Sequence, residues 1–121
     1  MLRAAPLLLL LVMGCGGSPP ALSPAKGVVK WRGRALPGGT IVFTPDAERG
    51  NRGSMAVGTV GSDGTFALET EGKPGCVPGW HRVTVLSRGC ALPTRYRDPE
   101  MSGQHVEIKP GQENACEVNL D

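Results

Sequence analysis

The chain has little with which to do acid–base chemistry and little aromatic mass with which to fill a core. Its 121 residues include two histidines, His81 and His105, and its aromatics are two Trp, two Phe and one Tyr, so a thin core of modest stability is expected. Neither His-Glu-x-x-His nor Gly-x-Ser-x-Gly occurs, which removes the local signatures of a zinc hydrolase and of a nucleophile elbow; Gly61-Ser62-Asp63-Gly64 falls one residue short of the second. Charge of one sign is lacking too. With 13 basic and 11 acidic residues the net +2 is scattered along the chain, which builds no field for a polyanion and argues against nucleic acid as a partner. No window keeps apolar residues at i, i+3, i+4, i+7 over three turns, and each of the 18 Gly and 11 Pro would be costly inside a helix. An all-β chain of one domain is the expectation.

Short alternating runs are what the sequence has in number. Asp63-Gly64 separates Ser54 to Val60 from Thr65 to Glu69, and a Gly there accepts the positive φ of a tight turn, so a central hairpin is expected. Thr40 to Thr44 is a strand ended by Pro45, which cannot donate to a ladder. Trp80 to Ser87 puts His81, Val83 and Val85 on one face and Trp80, Arg82 and Thr84 on the other. Gln104 to Lys109 and Ala115 to Leu120 flank a Pro-Gly turn and alternate wet and dry, a second hairpin. About seven short strands in all read as an antiparallel β-sandwich.

Single residues carry further expectations. Asp46 to Gly53 reads as a solvated loop of mixed charge, and Arg88 to Gly103 as a long irregular stretch in which Tyr96 is pinned with its hydroxyl at the core edge. His81 sits at a core-facing position and is expected to be packed and hydrogen-bonded, whereas His105, at a strand start, is expected to be exposed. Asp63 is read as bonding its own turn rather than calcium. Trp80 is either a stacking platform for a sugar or peptide, or a cover for a neighbouring loop. No residue set points to catalysis, a metal or a cofactor.

The N-terminus is different in kind. Arg3, the apolar run Leu7 to Val12 and the small residues after it have the layout of a secretory signal peptide, and that run is far short of the about 20 residues that span a bilayer. Leu11-Val12-Met13-Gly14-Cys15 resembles a bacterial lipobox, which implies a diacylglyceryl group on Cys15 and cleavage just before it. The division that follows is a signal peptide over 1–14, a lipidated Cys with a Pro-rich tether over 15–25, and a folded domain over 26–121. At about 3.1 Å per residue the tether reaches about 20 to 30 Å. Gly16 is not the Asp associated with inner-membrane retention, so the expected place is the outer membrane, facing the periplasm or the cell surface. Three cysteines remain, an odd number. Cys76 and Cys90 flank Trp80 to Ser87, about 26 Å of strand against the about 7 Å that a bridge allows, so either Cys116 joins one of them or there is no bridge, with a free thiol in both cases.

Gly27-Val28-Val29, the run from Gly33 to Pro45, Ser62-Asp63-Gly64-Thr65-Phe66, the run from Pro78 to Val85, the stretch Leu92 to Pro99 and the closing hairpin together resemble the carboxypeptidase regulatory-like domain of small planctomycete-type bacterial lipoproteins. The likeness spans Lys26 to Leu120. It implies a prealbumin-like sandwich with an accessory role, binding or structural display, and no catalysis. His81 stands where such relatives tend to carry a Tyr, and Cys76, Cys90 and Cys116 are additions. Transthyretin-fold hydrolases offer an enzymatic alternative on a similar sandwich, but they end in Tyr-Arg-Gly-Ser where this chain ends Val118-Asn119-Leu120-Asp121; a carbohydrate-binding module is the other alternative. The expected partners are the membrane, through the lipid, and an envelope protein or glycan.

Overall fold

Period-two alternation decides which side of each strand goes dry. In the computed structural model, which describes residues 21–121, Ile41 and Phe43 of β3 (Gly39–Pro45), His81, Val83 and Val85 of β8 (Gly79–Ser87) and Cys116, Val118 and Leu120 of β10 (Asn114–Leu120) all face a shared interior. Phe43 lies at its centre, its ring 6.2 Å from that of Phe66 and 5.9 Å from the imidazole of His81. The expected signal peptide and the expected lipidation site, Cys15, lie outside the described residues.

The fold is the all-β sandwich expected. One sheet runs β7 (Lys73–Pro74), β6 (Glu69–Thr70), β4 (Ala56–Val60), β3, β8, β9 (His105–Ile108). In the other, β1 (Ala25–Trp31) has β10 along its whole length on one side, and β2 (Arg34–Ala35) and β5 (Thr65–Ala67) along the other. The described residues form ten strands, more than the seven or so expected, because several are pieces of two or three residues. All pairs are antiparallel except β1 with β10, which run parallel from Ala25↔Asn114 to Trp31↔Leu120.

Neither expected hairpin forms. The Asp63-Gly64 turn does reverse the chain, with Gly64 at φ 85°, Gly64 N donating to Gly61 O at 2.9 Å and Gly61 N to Thr65 O at 2.8 Å. Its two arms then part: β4 pairs with β3 and β6, while β5 pairs with β1 in the opposite sheet. The chain returns to the first-named sheet at Leu68, whose N–H donates to Ala25 O and whose carbonyl accepts from Gly75 N. The reason is the backbone of β1, whose groups opposite β10 need partners, and β5 supplies them. The closing hairpin also opens. β9 pairs with β8, and β10 crosses to β1, because the connector is wound round Asn114, whose side chain accepts from Lys109 N at 2.8 Å and donates to Lys109 O at 3.1 Å and Gln112 O at 3.0 Å.

The last residues of the stretch expected as a tether over 15–25 are packed into the fold. Ser23 and Ala25 are buried, and Ser23 exchanges two 2.9 Å backbone bonds with Cys76, so the folded part includes Ser23. At the other end, Tyr96 is buried on a 3₁₀ turn, Thr94–Arg97, with its hydroxyl donating to Asp121 O at 3.2 Å and accepting from Asp121 N at 2.9 Å, the pinned position expected of it.

Candidate functional site

Where β3 stops at Pro45, Asp46 opens a 3₁₀ turn, Ala47–Arg49, and caps it by accepting from Glu48 N at 3.1 Å. Its own N–H donates to Trp80 O, and its carbonyl accepts from Arg49 N and Asn51 N. The carboxylate is 2 % exposed and faces two guanidiniums and an imidazole: Arg82 Nε lies 3.3 Å from one oxygen, and Arg49 Nε 3.6 Å and His105 Nδ1 3.9 Å from the other. Arg82 Nη2 donates to Glu48 Oε1 at 2.6 Å, and the Arg49 guanidinium stacks 4.3 Å from the Trp80 ring. A hollow of about 200 Å³ between this turn and Pro99–Glu100 is lined by Thr44, Asp46, Glu48 and Arg82. The structure thus brings the two expected loops together over one end of the larger sheet.

The solvated loop of mixed charge is therefore corrected at its first residue. Asp46 belongs to a buried clamp, because β8 presents Trp80 and Arg82 outward beside it and the β8–β9 register sets His105 opposite Arg82. Trp80 takes the second of its two expected roles and covers the loop through Arg49. The sequence carried one signal for the clamp, the outward parity of Trp80 and Arg82, but nothing that placed Asp46 within reach of them. A carboxylate held by two guanidiniums and a backbone N–H is an anchor for the loop.

The second polar group in the interior is His81. Its ring is fully buried, Nε2 donates to Val77 O at 2.7 Å and lies 3.5 Å from Cys76 Sγ, and Nδ1 has no partner among the described residues. Burial holds the imidazole below its ordinary range against the pull of the Val77 and Phe43 carbonyls. Burial, and then the neighbouring Cys116 thiol, push Cys76 up to about 12, and burial pushes Cys116 up as well. Both groups are neutral near pH 7, so this is packing and not a thiolate–imidazolium pair. A pH dependence follows. In the unfolded chain His81 regains its ordinary pKa near 6.5, so the unfolded state binds the extra proton first as pH falls. Stability from the neutral ring is complete above pH 7.5 and is lost as pH drops below 6.5 toward the depressed folded value. Urea midpoints measured from pH 8 to 5 are expected to be flat and then fall, and His81→Gln is expected to flatten that fall.

Asp63, His105 and the three cysteines of the domain stand as expected. Asp63 accepts from Thr65 Oγ1 at 2.7 Å and Thr65 N at 3.1 Å, bonds that hold its carboxyl below the usual range and leave it a turn residue. His105 is exposed at the start of β9, and Cys76, Cys90 and Cys116 are all free thiols, the second of the two outcomes allowed for them. Among the described residues no group of three or more His, Cys, Asp or Glu is placed to hold a metal ion.

One backbone feature stands apart from side-chain chemistry. The β1–β10 ladder starts with Asn114 N donating to Pro24 O at 2.8 Å and ends with Arg32 N donating to Leu120 O at 3.0 Å. In a parallel ladder those two ends turn the groups of Asn114, Cys116, Val118 and Leu120 toward β1 and those of Ala115, Glu117 and Asn119 away from it. No described strand pairs with that outer side. The edge is seven residues long, without Pro and without a break in register, and all three outward residues are exposed. No family model, curated protein or solved structure matches the chain.

Proposed function

We propose that the protein is a lipid-anchored envelope module that works without catalysis, recruiting an extended segment of an envelope protein by strand addition along β10. The open edge carries this reading. Six backbone groups on Ala115, Glu117 and Asn119 have no strand partner among the described residues, and edges left long and without Pro or Lys are the ones that accept a further strand. The lipobox-like Leu11 to Cys15 supports the anchor, and the resemblance to carboxypeptidase regulatory-like lipoproteins supports an accessory role at the outer membrane. The Asp46 clamp supports a rigid scaffold, since it spends the loop's charges on holding the loop to the sheet.

The test separates anchor from edge. Two or more acyl chains hold a protein stably to a bilayer, so the full chain should partition into the detergent phase and Cys15→Ala should move it to the aqueous phase. Cys15→Ala remaining in the detergent phase would remove the anchor. Glu117→Pro deletes an N–H that β1 does not use, so the fold should stand while the edge is blocked. A photo-crosslinker at Asn119 in intact cells is expected to capture one partner, lost with Glu117→Pro and kept with Glu117→Gln. Capture unaffected by Glu117→Pro would sink strand addition. Hydrolysis of an ester, peptide or purine-derived substrate that vanished in folded His81→Ala or His105→Ala would favour the hydrolase instead.

A further inference from the structure

The sandwich has a second end. Chain entry at Ser23, the Asp46 clamp and Val77 gather at one end, and β1 runs from there over seven residues, about 20 Å, to Trp31 at the other. There a hollow of about 360 Å³ opens between the β1–β2 turn and Cys90, lined by Trp31, Arg32, Arg34, Leu36, Pro37 and Cys90. That volume lies in the range of small-molecule sites. We propose that this hollow binds a small organic anion, a carboxylate head on a short apolar body.

Charge comes first. Arg32 and Arg34 make no ion pair among the described residues, and no acidic residue lines the hollow, in contrast to Arg49 and Arg82, which both face carboxylates. Two uncompensated guanidiniums above Trp31, Leu36 and Pro37 match a carboxylate carried on hydrocarbon. Strain is the second observation. Arg32 and Gly33 have φ of 55° and 80°, as at the two central positions of a type I′ turn, where Asn or Gly is the usual first residue. A side chain with a Cβ resists that conformation, yet here it sets the Arg32 guanidinium 4.9 Å from the Trp31 ring centroid, on the hollow. The third is an unmade hydrogen bond: the ring N–H of Trp31 is buried without an acceptor among the described residues. Native structures rarely leave such a donor unpaired; the N–H is shut off from solvent as the ring stands, and a ligand oxygen meets it once the ring turns toward the hollow.

Cys90 supplies the probe. It is half-buried on the wall of the hollow, whereas Cys76 and Cys116 are buried in the core. In the full chain carrying Cys15→Ser, the rate of Cys90 alkylation by N-ethylmaleimide is followed by intact mass with octanoate, octan-1-ol or inorganic phosphate present. Octanoate at millimolar concentration is expected to slow alkylation at least fivefold, and octan-1-ol and phosphate less than twofold. Arg32→Ala with Arg34→Ala is expected to abolish the protection without lowering the urea midpoint. Arg32→Gly, which relieves the positive φ, is expected to raise the midpoint while weakening protection, the trade of stability against binding that strain at a site implies. Should Cys90 prove unreactive without ligand, Trp31 emission in Trp80→Phe reads the same titrations. No response to octanoate by either readout, equal protection by octan-1-ol, or protection that survives loss of both arginines overturns the proposal.

Discussion

Gly27→Ala is expected to leave little folded protein. Gly27 lies opposite Cys116 in the parallel ladder, and a Cβ there would fall inside the contact radius of the Cys116 carbonyl oxygen, 2.8 Å from the carbonyl carbon and 3.0 Å from the Cys116 Cβ. No rotamer relieves an overlap between a Cβ and a backbone, so β1 and β10 must separate. Overfilling a packed site costs about 1–3 kcal/mol, and here the separation also weakens a ladder that runs the length of both strands. We expect a loss of at least about 3 kcal/mol, a large part of the about 5–15 kcal/mol typical of a domain. Gly33→Ala is the control. Its φ of 80° is unfavourable to Ala, but nothing lies within 4 Å of the added carbon, so about 1 kcal/mol is expected. Urea unfolding of the two variants decides; a Gly27→Ala midpoint equal to that of Gly33→Ala would show that the two strands are not held as closely as described.

Asp46→Ala is expected to cost about 2–3 kcal/mol, which is less than the full penalty for breaking a buried ion pair. The discount comes from the partners: Asp46 is 2 % exposed, but the Arg82 side chain is 17 % exposed and that of Arg49 46 %, so water recovers part of the lost attraction. That total includes the cap on the 3₁₀ turn, about 1 kcal/mol. Asp46→Asn keeps an oxygen for Glu48 N and loses only the charge, so about half the loss is expected. If the clamp is one unit, Arg82→Ala in the Asp46→Ala background should cost much less than Arg82→Ala alone. Chemical denaturation of the four proteins gives the coupling. Additive losses would mean that Asp46 acts through its backbone and cap alone.

The place of Asp46 shows why the clamp was hard to read in the chain. Asp46, Glu48 and Arg49 look like any polar loop, since a run of mixed charge says nothing about which other strand lies beneath it. Trp80 and Arg82 were legible as an outward pair on β8 because alternation fixes parity. Joining the two groups required the register that brings Pro45 opposite His81 and His105 opposite Arg82. The distal hollow was less legible still. Arg32-Gly33-Arg34 reads as a glycine-rich connection, and its meeting with Cys90, more than fifty residues on, is a tertiary event.

By itself the sequence determined the fold class, the parity of nearly every long strand, the burial of His81, the turn at Asp63-Gly64 and the pinning of Tyr96. All of these follow from local chemistry: a period of two, the steric freedom of Gly at positive φ, and the reach of one side chain to its own turn. It also marked a lipobox-like Cys15. What the tertiary structure decided is partnership. Two alternating runs joined by a short turn look like a hairpin in any chain, yet here both turns send their strands to opposite sheets, because β1 needs a partner on either side and Asn114 winds its connector toward the far one. The parallel β1–β10 pair and the open outer edge of β10 both descend from those two crossings, which depend on how two sheets share one interior rather than on any residue's own preference.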